Sequence, residues 1–411
     1  MKKNLGGIYL GASRCKRVAV TALRAAAYAA LCWGIAAQAA PRVPTSDAEV
    51  LEQLPMRPAD PAARELAQLR AQVRTAAAQN PSDPRAATAL AESYFDLAMA
   101  RGDPRYVGYA DAVIQPFDKN GYAPLSVVRG QLLQYRHQFD EALREFESAL
   151  KVDPQFAPAH AWRGAIYMVQ ANYPAAQKEC DALQRLGRAA LQAGCTGLLQ
   201  AYTGRMQAGF ATLQSALQQT QDPNQRLWLL TRLGEVSAWR GQSAQAGQYF
   251  RSALALGLDD GYLLAAWSDF LLDQNRPAEV VKWLANWEAS DTLLLRLALA
   301  ETQLQLPKAR AHVQALDDRF AAARQRGDTT HRAEEARFWL QLRGNPTQAL
   351  TVAAANYQVQ REPRDARIVL EAALAARDSI AAKPVQDWLQ SSGFEDPRLR
   401  QMAAVMVGGK Q

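Results

Sequence analysis

Between residues 123 and 290 the apolar residues fall at helical intervals, and no stretch alternates apolar and polar positions as a half-buried strand would. In "FDEALREFESALKVDP", residues 139–154, Phe139, Ala142, Phe146 and Ala149 share one face of a helix, and Pro154 closes the stretch. The pattern repeats 34 residues on: Gly130 maps to Gly164, Phe139 to Tyr173, Ala142 to Ala176, Phe146 to Cys180 and Ala149 to Leu183. A second frame carries Gly234, Ala246, Phe250 and Ala253, then Ser268, Val280, Leu284 and Trp287. Between the frames, Gly209, Leu213 and Ala216 belong to a unit of slightly different length. Small residues at the Gly and Ala positions let two antiparallel helices approach closely, while the larger apolar residues fill their seam and meet the next pair. The predicted fold is therefore all-α: a right-handed solenoid of stacked antiparallel helix pairs, an open superhelix without an internal domain boundary.

Proline punctuates this pattern at helix starts, where its missing N–H costs nothing. Pro174, Pro277 and Pro346 are placed to open second helices, and Asp153-Pro154 and Asp222-Pro223 mark joints between units. Ser46 and Glu49 stand at capping-box spacing ahead of Leu51 and Leu54, and "PAARELAQLRAQVRTAAAQ" reads as a further helix. The expected organisation is a leader over 1–39, capping helices over 40–80 and repeats over 81–290, clearest over 123–290. Weaker helix pairs and a C-terminal cap follow over 291–400, with a flexible tail over 401–411.

The run Gly130, Ala142, Phe146, Ala149 and Pro154, with Gly164 and Tyr167 in the next unit, resembles the tetratricopeptide-repeat family and its 34-residue helix-turn-helix unit. The resemblance implies that first helices line a concave groove that holds peptide ligands. By that mapping the groove residues are Tyr135, Met168, Trp228, Thr231, Glu235, Trp239, Tyr262, Asp269 and Asp273. An aromatic and acidic trough of this kind suits an extended segment with apolar anchors and a Lys or Arg. Members that clamp a partner's C-terminal carboxylates use lysines, asparagines and an arginine; here those places hold Val127, Gln131, Ala161 and Ala165, so the clamp is absent. Trp267, Trp283 and Trp287 fall on seam positions.

The charge balance changes meaning once the leader is recognised. The 411 residues carry a formal charge of +7, but the basic start with Lys2, Lys3, Arg14, Lys16, Arg17 and Arg24 contributes six cations and no acid, leaving about +1. No nucleic-acid partner is expected. The apolar run Ala25 to Ala37 is too short to span a bilayer, and Ala37-Gln38-Ala39 is a small-x-small cleavage site, so the leader reads as a secretory signal. A periplasmic protein without stable membrane insertion follows. Cys180 and Cys195 lie either side of a turn near Gly187, where antiparallel helices set them opposite each other. A disulfide closing this loop contributes roughly 3 kcal/mol in the chain-entropy model. Two buried thiols are the alternative.

Chemistry-bearing patterns are sparse. His137, His160, His312 and His331 lack metal-ligand spacing, so no metal and no cofactor are expected. There is no glycine-rich phosphate loop and no Gly-x-Ser-x-Gly elbow, and Asp259-Asp260 and Asp317-Asp318 read as charged turns and faces. The reading is a non-catalytic exported scaffold for envelope proteins, with secretion, polysaccharide export or outer-membrane assembly as contexts. An α/α-toroid enzyme acting on carbohydrate and a small-molecule binding protein are its rivals. N-terminal sequencing of the protein recovered from a periplasmic fraction should begin at Ala40; an intact Met1 there would contradict a cleaved export signal.

Overall fold

The computed structural model describes residue 46 and residues 61–117 and 121–408. The leader and Glu49 of the expected capping box lie outside the described residues. The repeats lie within one compact unit, Arg64–Gln411. Every described element is a helix. In chain order these are α1 (Pro61–Gln79), α2 (Arg85–Arg101), α3 (Arg105–Ile114), α4 (Ala123–Tyr135), α5 (Phe139–Val152), α6 (Ala157–Val169), α7 (Tyr173–Arg185), α8 (Ala189–Tyr202), α9 (Met206–Gln219) and α10 (Pro223–Trp239). They continue with α11 (Ser243–Leu254), α12 (Gly261–Asp273), α13 (Pro277–Leu284), α14 (Asp291–Gln303), α15 (Ala309–Gln325), α16 (Arg332–Arg337, extended by a π-helical turn Phe338–Leu342), α17 (Pro346–Tyr357), α18 (Pro363–Ala376), α19 (Lys383–Ser392) and α20 (Pro397–Gly408).

Consecutive helices from α2 onward pack as antiparallel pairs, the arrangement expected from the sequence. The start signals behave as expected. Pro223, Pro277 and Pro346 open α10, α13 and α17, and Pro174 sits in the first turn of α7. Asn172, Asp222, Asp260 and Asn345 each accept a first-turn backbone N–H, at 3.3, 2.8, 2.6 and 3.0 Å. Each pair is closed by one residue in the left-handed conformation between its two helices. Along the chain these are Gly102, His137, Ala171, Gly204, Gly241, Asn275, Gln305, Gly344 and Arg377, with φ between 55° and 73°. Seven of the nine pairs reverse the chain in three residues around such a residue, and the α14–α15 and α18–α19 connections take five and six, although side chains at five of these positions resist the conformation.

The repeated small residues have the predicted physical cause. A Cβ on Gly130 would lie 2.4 Å from Phe146 Cε1, and one on Gly234 would lie 2.7 Å from Phe250 Cε1. Phe146 and Phe250 are essentially fully buried in those seams, each contributing about 2–3 kcal/mol of burial. In the unit where Cys180 replaces the phenylalanine, Cys180 and Cys195 form a disulfide with Cα atoms 5.5 Å apart, and Cys195 Sγ occupies the space above Gly164. This bond links α7 to α8, the second helix of one pair to the first of the next. Trp267 is buried in its seam, whereas Trp283 turns outward and is 40% exposed, because α13 has only eight residues and buries just Val280 and Leu284.

The stack curls upon itself. Helix α2 packs on α12, and Gly261 comes so close that a Cβ there would lie 3.1 Å from the carbonyl oxygen of Met99. The C-terminal pair and α20 return to the concave side. Arg361 N–H donates to Val169 O at 2.7 Å, Trp388 Nε1–H donates to Tyr173 Oη at 2.8 Å, and Phe394 is buried against Tyr202 and Trp239. Residues 401–408, expected as a flexible tail, are instead the later turns of α20. They are held because Ala403 and Met406 bury their side chains in the same core.

Close approach predicts opposite effects at two helical glycines. Gly209→Ala would drive its Cβ to 2.4 Å from Gly197 O across the α8–α9 crossing and should destabilise by about 1–3 kcal/mol. Gly108→Ala meets nothing within 4 Å on exposed α3 and should stabilise by up to about 1 kcal/mol. Denaturant unfolding of the two variants beside the parent chain measures both signs.

Candidate functional site

The residues that the sequence assigns to a groove separate into three groups. Glu235, Trp239, Tyr262, Asp269 and Asp273 line one cavity of about 330 Å³ between α10, α12 and the C-terminal helices. Trp228 stands one step away and is 37% exposed. Its ring rests on Gly194, where a Cβ would lie 2.7 Å from the indole, and Arg232 sits over it at 5.6 Å from the ring centroid. The other three do not face this space. Met168 is buried in the core, Thr231 is buried and donates to Leu227 O at 2.8 Å, and Tyr135 is only half-buried elsewhere. Burial pushes the Tyr135 phenol up to about 12, with Asp291, Asp103 and Asp328 adding to the effect.

Ion pairs dominate the cavity wall. Asp269 and Asp273 lie one turn apart on α12, so both point to the same side. Asp269 accepts from Arg296 Nη2 of α14 and Arg337 Nη1 of α16, each at 2.7 Å. Asp273 accepts from both terminal nitrogens of Arg367 on α18 and from Arg398 Nη1 on α20, all at 2.7 Å. Burial alone would raise both carboxyls, but the guanidinium groups outweigh it and hold them below their usual range. Ionised and engaged on both oxygens, these carboxylates are anchors; neither carries a proton to donate at neutral pH. Deeper in, Tyr262 Oη donates to Glu235 Oε1 at 2.7 Å, and Arg232 Nη1 donates to Glu235 Oε2 at 2.8 Å.

An aromatic cluster adjoins the cavity, which its members Tyr202 and Trp239 line. Phe394 lies 5.5 Å from Trp239, 6.2 Å from Tyr202 and 5.2 Å from Trp388, centroid to centroid. Aromatic packing at these separations adds about 0.5–1.5 kcal/mol per pair beyond the area buried. Around this cavity aromatic and acidic groups stand side by side, met by Phe394 and by arginines of the C-terminal helices.

No family model and no curated protein matches the chain. Among solved structures it is similar to PilF of Pseudomonas aeruginosa, at 20% identity over 48% of this chain and 92% of that one with a TM-score of 0.37. It is similar also to a tetratricopeptide repeat protein from Parabacteroides merdae, at 14% identity over 58% and 93% of the two chains with a TM-score of 0.42. Yeast Tom70 is similar at 14% identity over 79% and 62%, with a TM-score of 0.41. Within this chain, the 34-residue offset of α4 and α5 to α6 and α7, with Gly130 under Phe146 and Gly234 under Phe250, gives the architecture. The fold is a tetratricopeptide-repeat solenoid.

Sequence reasoning missed the arginines of this site. Arg296, Arg337, Arg367 and Arg398 supply one guanidinium from each of four successive units, but loops of different length spoil the 34-residue register that would have revealed them.

Two buried carboxyls, Asp365 and Asp396, are raised by burial where Asp269 and Asp273 are lowered. Asp365, at the start of α18, accepts from Asn356 Nδ2 at 2.9 Å and from Glu362 N–H at 3.1 Å, and complete burial pushes it up to about 7. A native value above the unfolded one means the folded chain holds the proton more tightly, so stability falls as pH rises from about 4 through about 7. Asp365→Asn should remove that slope, gaining on the order of 2 kcal/mol at about pH 8 and nothing near pH 4. Denaturant midpoints at the two pH values check this, and an equal difference at both would contradict it.

Proposed function

We propose that this protein is a non-catalytic, exported scaffold of the bacterial cell envelope whose concave face gathers other proteins, within a secretion, polysaccharide-export or outer-membrane assembly. The observation that carries the reading is the concave face of α8 to α12, where aromatic rings and ionised carboxylates lie together and hold a polypeptide segment through one apolar ring and arginines. A surface that binds one segment this way has the chemistry to bind another.

Export is supported by the Cys180–Cys195 bond, since disulfides persist in oxidising compartments, and by the basic and apolar leader. No described helix is long and apolar enough to cross a membrane. The non-catalytic reading is supported by the state of the carboxylates. Glycoside hydrolysis needs one carboxyl that keeps its proton near neutrality beside the substrate. Asp269 and Asp273 are held ionised, Asp365, raised by burial, is completely buried at a helix start, and Asp396, also raised by burial, is occupied in capping α20.

Trp228 is the exposed aromatic whose ring is already fixed, between Gly194 and Arg232, so it loses little side-chain freedom on meeting a partner. Affinity isolation from envelope extract should show recovery of partners falling about tenfold for Trp228→Ala, at unchanged thermal stability. Retention of every partner by both Trp228→Ala and Trp239→Ala would overturn the concave face as the binding surface.

A further inference from the structure

The six residues Gly393 to Arg398, "GFEDPR", engage the concave face in a way that reads as a recognised motif. Gly393, at φ 68°, lies back to back with Gly204, where a Cβ would stand 3.1 Å from Gly393 O. Phe394 is completely buried between Tyr202 and Trp239. Glu395 Oε2 accepts the otherwise free N–H of Met206 at the start of α9, at 2.7 Å. Arg398 reaches Asp273.

The turn also holds its own shape. Asp396 caps α20, accepting from Arg398 N–H at 2.8 Å, and Arg400 donates to the carbonyl oxygens of Phe394 and Gly393, each at 2.7 Å. A short segment shaped by its own bonds has little conformational freedom to lose on docking. The hairpin α19–α20 that carries it joins α18 through Arg377 to Ala382, a connection with a left-handed arginine and with Ile380 82% exposed.

We propose that the concave face formed by α8, α9, α10 and α12 is a recognition site for a short turn with a glycine, a buried aromatic, a carboxylate and an arginine four residues beyond the aromatic. Residues 393–398 fill the site in the resting chain, and a partner protein bearing such a turn enters by displacing them. The inference rests on the scaffold reading and adds the partner's chemistry to it. Displacement is an exchange: an incoming turn remakes the ring burial, hydrogen bonds and ion pair that the internal one gives up, and the partner's flanking residues must cover the core from which Trp388, Leu399 and Met406 withdraw.

The test uses the full chain and a fluorescein-labelled synthetic peptide of residues 388–403, followed by fluorescence anisotropy. The parent chain, whose own turn competes, should bind the peptide at least about tenfold more weakly than the Phe394→Ala/Arg398→Ala chain. Adding Asp273→Ala to that receptor, or Phe394→Ala to the peptide, should abolish capture. Should the double variant fail to fold by circular dichroism, Arg398→Ala alone, at a half-exposed side chain, takes its place. Hydrogen exchange on the parent chain with saturating peptide should then show amides of 383–408 losing protection. Equal weak binding by parent and variant overturns the proposal. So does peptide capture that ignores Asp273→Ala, and so does a variant that dimerises through its own C-terminal helices in place of binding peptide. No envelope protein is present in this assay, so its failure stands apart from failure of the affinity isolation.

Discussion

Two carboxylates one turn apart on α12 decide how this solenoid ends. Asp269 draws in α14 and α16 through Arg296 and Arg337, and Asp273 draws in α18 and α20 through Arg367 and Arg398. Stacked helix pairs ordinarily need to touch only their nearest neighbours. Here four units are gathered onto one helix face, and the gathering sets the position of everything after residue 290. Ion pairs of this kind, from the buried Arg296 to the half-exposed Arg398, give modest net stability, because desolvation and solvent screening offset much of the attraction. Their effect is on geometry: a guanidinium left without its carboxylate on this wall would be costly, so alternative placements of the C-terminal helices are disfavoured.

Close approach makes that arrangement reachable. Gly130 and Gly234 admit phenylalanine rings into their seams, Gly197 and Gly209 let α8 and α9 meet backbone to backbone, and Gly204 and Gly393 do the same between distant parts of the chain. The local device that reverses each pair is a single left-handed residue, and the long-range device that closes the concave side is an aromatic cluster. The second depends on the backbones at Gly204 and Gly393 meeting with no Cβ between them.

The fold was largely legible in the sequence because nearest-neighbour packing leaves a periodic trace: the same small and aromatic residues recur wherever the same seam recurs. The left-handed reversals were not legible, since glycine, histidine, alanine, asparagine, glutamine and arginine all serve there and the fold imposes the conformation on them. Five of the nine residues assigned to a groove line one cavity, because helix periodicity places Glu235, Trp239, Tyr262, Asp269 and Asp273 on neighbouring faces. Met168 and Thr231 fell short because a fixed position in the repeat does not say how deeply its helix sinks into the core. The arrival of Phe394 and Arg398 was invisible, because it depends on the curvature accumulated over several units, which no single spacing records.

The disulfide has a mechanical meaning that follows from where it sits. By tying α7 to α8 it bridges two neighbouring pairs at the one joint where a cysteine stands in place of the usual phenylalanine. Under tension a stack of this type peels apart pair by pair, and a covalent staple across a joint halts the tear there. The staple keeps α7 and α8 together for as long as the surroundings keep it oxidised.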